Sequence, residues 1–160
     1  MEAKIFLSLA QNHSSITEAL SSACGHTVAV QRGTVDPEYI QIVNGTCKKE
    51  GLPVAKSLEF TSSSDKKLAV QSGRVDVSFF SSVDFPALQA ESNNAFAAFV
   101  LHELPEELWG IAVNPMDREL ANAILKATQE LMDDGSYMTI LEKWNVRHLA
   151  LESATINAGK

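Results

Sequence analysis

The feature that most constrains the fold is a recurring order of short apolar run, polar turn and helix start. Thr27-Val28-Ala29-Val30-Gln31 is rich in β-branched residues and suits a strand. Arg32-Gly33-Thr34-Val35 follows as a turn, and Asp36-Pro37 then opens a helix. Asp suits the N-cap, and Pro in the first turn sacrifices no hydrogen bond. This helix runs to about Lys49, where Gly51 stops it. The order then repeats. Ser57-Leu58-Glu59-Phe60 reads as a strand, and Ser64-Asp65 as the cap of a helix that carries Leu68, Ala69 and Val70 and ends at Gly73. Val75–Phe80 reads as the next strand, followed by a loop and helix around residues 83–91 and the apolar run Phe96–Leu101. Alternation of this kind predicts an α/β fold with a central sheet flanked by helices.

The flanking segments extend the pattern. Residues 4–10 form a first apolar strand, and Ser15-Ile16-Thr17-Glu18 is a capping-box pattern for a short helix ended by Gly25. Trp109-Gly110-Ile111-Ala112-Val113 reads as a further strand. Two helices close the chain. The first aligns Leu120, Ile124, Ala127 and Leu131, and the second, capped by Ser136, aligns Tyr137, Ile140, Leu141 and Trp144. Both stripes read as core packing.

Composition excludes some functions. A formal net charge of −7 with no basic run argues against nucleic-acid binding. No stretch approaches the roughly 18 apolar residues that span a bilayer. Ile5–Ala10 is shorter than the apolar core of a secretory signal, so no export segment is read at this N-terminus. His13, His26, His102 and His148 are scattered, with no pair at metal-ligand spacing. Asn12-His13-Ser14 and Asn44-Gly45-Thr46 match a glycosylation acceptor pattern that is common by chance. Ser81-Ser82 lacks a nucleophile elbow or an evident general base, and Glu106-Glu107 and Asp133-Asp134 read as solvated charge. No catalytic residue, metal site or cofactor is therefore expected.

The turn Gln31–Val35 lies between a strand's C-terminal end and a helix N-terminus, where open α/β sheets bind ligands. Free amides there hold an anion, aided by the helix dipole of about half a unit charge. Gly33 permits close approach, and the Thr34 hydroxyl offers a donor. A plain strand–turn–helix junction is the alternative from these residues alone. Asp36 as N-cap would engage amides and set negative charge beside an incoming carboxylate. Cys24 and Cys47 fit two thiols or one bridge from spacing alone.

Three stretches together resemble the family 3 solute-binding proteins of bacterial polar amino-acid ABC transporters. They are Cys24–Thr34, Leu68–Asp76 with its Gly73-Arg74-Val75-Asp76, and Gly110–Val146 with Asp134-Gly135-Ser136-Tyr137 and Ile140–Trp144. The ending Leu151–Asn157 also fits, and the resemblance covers nearly the whole chain in order. It implies a type II periplasmic-binding-protein-like lobe at residues 1–112, with residues 113–160 forming C-terminal helices that normally pack on a first lobe. The family's first-lobe segment before residues 4–10 is not in this sequence. The resemblance also implies a periplasmic setting, a small-molecule ligand with a carboxylate, and a membrane permease as partner once a first lobe is present.

By the same resemblance, Gln31, Gly33, Thr34 and Val35 help hold the ligand's α-carboxylate. The position of the family's ammonium-binding aspartate falls on Ser81, which accepts a hydrogen bond but cannot neutralise a cation. That points to a ligand without a free α-ammonium, or to lost binding. The family often bridges the positions of Cys24 and Cys47, and the strand-then-antiparallel-helix order brings them close. Without a first lobe, the apolar stripes at about 117–132 and 136–145 must fold back or bury against another chain, which points to a homodimer. Two rival readings stay open, an enzyme resembling a dehydratase on the same scaffold and a non-binding remnant.

Overall fold

Two strands with continuous apolar runs organise the sheet. Lys4–Leu9 (β1) and Val77–Ser81 (β4) are covered on both faces, and all five residues of β4 are buried. A computed structural model describes residues 3–12, 15–105 and 108–158 of the chain. His13, the Asn12–Ser14 acceptor pattern as a whole, the Glu106-Glu107 pair and the side chain of His148 lie outside the described residues. The remaining strands are Thr27–Gln31 (β2), Lys56–Phe60 (β3) and Phe96–Val100 (β5), in the order β3-β2-β4-β1-β5. β2 runs parallel to β3 and β4, while β1 is antiparallel to β4 and β5.

Alternation along the strands splits the core into two layers, because successive side chains leave opposite faces. Phe6, Val28, Val30, Val77 and Phe79 join Tyr39, Ile40 and Val43 of the helix Asp36–Lys49 (α1). Ile5, Leu7, Ala29 and Phe80 join Ala69 and Val70 of the helix Ser63–Gln71 (α2) and Leu88 of the helix Phe85–Glu91 (α3). The expected α/β class, a central sheet with helices on its faces, is what the chain adopts.

Several local expectations change. Residues 15–25 form no α-helix; a short 3-10 turn covers Leu20–Ala23, with Ile16, Leu20 and Ala23 buried against the sheet. The Leu20 amide donates to Glu103 Oε1 at 2.8 Å, a tertiary bond in place of a helical one. The cap of α2 is Ser62, not Ser64. Its hydroxyl accepts the Asp65 amide at 3.1 Å and contacts Asp65 Oδ2 at 2.7 Å. β4 begins two residues later than read, because Asp76 precedes it and closes the strand entry. The Thr27 amide donates to Asp76 Oδ2 at 2.7 Å, and the Asp76 amide donates to the Thr27 carbonyl at 2.9 Å. That pairing gives the Gly-Arg-Val-Asp run a structural reason.

The chain divides into two compact units, the sheet unit at residues 3–105 and a second at 106–160. In the second, residues 108–113 form no strand, correcting the reading of Trp109–Val113. A strand needs a ladder partner, and none of the described strands pairs with this run. The helices Arg118–Asp133 (α4) and Ser136–Lys143 (α5) pack on each other. Asp117 caps α4 by accepting the Leu120 amide at 3.0 Å. Ser136 is the first residue of α5 instead of its cap, and its amide donates to Asp134 Oδ1 at 2.8 Å. The tail is tied back by the Leu151 amide on Tyr137 Oη and the Ala154 amide on Gln129 Oε1. Of the described residues of α4 and α5, none is buried, so their apolar stripes do not form the core that the periodicity suggested. Among the described residues no helix is long and apolar enough to cross a membrane.

Candidate functional site

The connections leaving the two neighbouring parallel strands part company. β2 leads through α1 to β3 on one side, whereas β4 leads through α3 to β5 on the other. The C-terminal ends of β2 and β4 therefore flank a topological switch point, the place where open α/β sheets bind ligands. The residues expected to bind fall on these two ends: Gln31, Gly33, Thr34 and Val35 after β2, and Ser81 at the end of β4.

Among the described residues, no hydrogen bond engages the amides of Gly33, Thr34 or Val35. Gly33 holds φ +78°, a left-handed conformation that disfavours any side chain, and nothing lies within 4 Å of a Cβ placed there. The Thr34 hydroxyl is already committed. It donates to the Gln31 carbonyl at 2.9 Å and accepts the Asp36 amide at 3.2 Å, so it shapes the turn. Gln31 also serves as an organiser: its amide donates to Asp36 Oδ2 at 2.9 Å and its Oε1 accepts Ser63 Oγ at 2.9 Å. Arg32, also on the turn, is held by Glu59 at 2.9 Å.

Asp36 does not cap α1 as expected; Val35 occupies that position without a side-chain cap. The Asp36 carboxylate turns inward and meets a residue that the sequence reading missed. Lys66 Nζ, in the first turns of α2, donates to Asp36 Oδ2 at 2.6 Å and to the Phe79 carbonyl at 2.8 Å. The two side chains are 5% and 7% exposed, and the ammonium lies 4.8 Å from the Phe80 ring centre. Burial pushes the Lys66 ammonium below its usual range; the charge and hydrogen bond of Asp36 act against that shift. One buried ammonium thus ties the start of α1 to the middle of β4. The signal was present in the spacing, since Lys66, Ala69 and Val70 share one helical face and are all buried.

Ser81 is buried, with its Oγ accepting the Val83 amide at 3.1 Å and its carbonyl accepting the Asp84 amide at 3.2 Å. Cys24 and Cys47 form a disulfide with Cα atoms 5.6 Å apart. It lies at the other end of α1 and of β2 from the candidate turn, and so serves the scaffold.

Comparison with known proteins agrees with this architecture. The arginine-binding protein ArgT of Corynebacterium glutamicum is 30% identical over 139 residues, which cover 85% of this chain and 44% of that protein. An ancestral arginine-binding protein with arginine bound matches with a TM-score of 0.70 and 28% identity, over 89% of this chain and 60% of that one. These relatives are bacterial family 3 amino-acid-binding proteins, and this chain matches part of their length. The chain spans a little under half the length of the curated relative it matches, ArgT. No family model matches it. Another similar structure is an ancestral amino-acid-binding protein that is a precursor of cyclohexadienyl dehydratase, with a TM-score of 0.64 and 26% identity, over 90% of this chain and 57% of that one.

Proposed function

We propose that this chain is the ligand-contacting lobe, through about residue 112, of an extracytoplasmic solute-binding protein serving an ABC transporter. Residues 113–160 would be the C-terminal helices that pack on a first lobe, and a membrane permease would be the partner of the two-lobed protein. The observation that carries the reading is the run of unengaged amides at Gly33, Thr34 and Val35 beside the switch-point crevice. Such amides hold a carboxylate by charge-assisted hydrogen bonds. The buried neutral Ser81 on the other strand end favours a small carboxylate or amino-acid-like ligand that needs no ammonium partner there. The test is titration of the nitrogen-15-labelled chain with acetate, L-arginine and L-glutamine, following the amide signals of residues 33–35. Saturable shifts confined to the β2–α1 and β4–α3 connections are expected. Absence of any response to all three carboxylates would count against a binding role.

Two second readings each have an observation behind them. The exposed apolar residues of the 106–160 unit favour a homodimer, or a module that associates without binding solute. The likeness to a dehydratase precursor favours an enzyme on the same scaffold, which turnover of a cyclohexadienyl substrate would reveal.

A further inference from the structure

The Lys66–Asp36 pair is buried, and Asp36 adjoins the three unengaged amides in sequence. Asp36 directly follows those amides, and its Oδ2 takes both the Gln31 amide and the Lys66 ammonium. Lys66 in turn donates to the Phe79 carbonyl of β4. Other charged groups also act on this ammonium: Lys4 of β1 disfavours its charge, and Asp84 after β4 favours it. A carboxylate so placed would repel an anion entering the turn, and the repulsion is strong where water is partly excluded.

We propose that Lys66 sets the charge preference of the β2–α1 turn: by cancelling Asp36 from beneath, it makes a crevice that would reject carboxylates accept them. The inference rests on the binding role proposed above. Lys66 does not touch the ligand; it is a positioning residue whose ammonium fixes Asp36 and, through Asp36, the Gln31 amide. A merely packed lysine would leave the turn's ligand preference independent of charge at position 66.

The experiment titrates sodium acetate into the nitrogen-15-labelled 160-residue chain as wild type, K66M, D36N and D36N/K66M, reading the amides of residues 33–35. At pH 7, K66M should need about tenfold more acetate than wild type, since a lone carboxylate now faces the probe. The response should return when D36N is added. D36N should bind acetate more tightly than D36N/K66M, because only the former keeps an uncompensated ammonium; this comparison holds if K66M alone fails to fold. Equal acetate affinities across the folded variants, with wild type responding, would overturn this inference and leave the binding role standing. A wild-type turn that ignores acetate, L-arginine and L-glutamine alike would remove the binding role and this inference with it.

Discussion

Lys66 is a costly residue to bury, and its partners determine what each change there does. Removing one member of a buried pair leaves an unpaired charge, which typically costs about 3–5 kcal/mol. K66M is expected to lose that much. D36N/K66M should recover most of it, because the side-chain carbonyl of the introduced asparagine still accepts the Gln31 amide that Asp36 accepts now. Urea unfolding monitored by circular dichroism measures both. The pH dependence follows from the direction of the shift. The folded-state proton affinity of Lys66 is lowered below its ordinary 10.5, so between the two values the unfolded chain holds more protons. Stability from this group therefore rises with pH in that alkaline window and is flat below it. The urea midpoint of wild type relative to D36N/K66M should climb as the pH rises toward 10.5; a midpoint difference that stays flat or falls on that approach would contradict the assignment. Little of this was legible beforehand. Asp36 looked like a cap and Lys66 was not singled out, because a polar residue's type says nothing about which face of its element is covered. Only its position three and four residues before Ala69 and Val70 placed it inward.

At the level of elements, strands and helices with local punctuation were readable, and those fixed by tertiary pairing were not. β2, the turn and α1 follow from β-branched residues, glycine and Asp-Pro alone. The 15–25 segment had a capping pattern, yet Ile16, Leu20 and Ala23 are drawn into the core in another conformation. Trp109–Val113 has strand composition but no neighbour to pair with among the described strands. The disulfide belongs at this scale, since it joins a residue just before the start of β2 to the last turn of α1, 23 positions apart. Closing a loop of that length contributes about 3 kcal/mol in the chain-entropy model. C24A/C47A should lower the urea midpoint accordingly while leaving the acetate response of residues 33–35 intact. A lost response in a folded variant would show that the bridge does shape the turn.

For the whole molecule, the fold class and the edge that carries the candidate site were legible because short apolar runs and glycine-marked turns determine both. The fate of α4 and α5 was not, since amphipathic spacing announces that a face is covered without saying by what. In the 106–160 unit, Trp109, Ile111, Met116 and Trp144 are each at least two-thirds exposed. The homodimer reading predicts concentration-dependent sedimentation of the chain, weakened by W144S. A single monomeric species from micromolar to millimolar concentration would contradict it. The placement of the disulfide has a practical consequence. α1 rises about 1.5 Å per residue, so Cys47 sits about 16 Å along the helix from Asp36. A dye or surface tether attached after mild reduction to Cys24, the partly exposed partner of Cys47, would leave the crevice open to solute. Its signal would follow unfolding of the scaffold and stay silent to occupancy, giving an internal control within the same molecule.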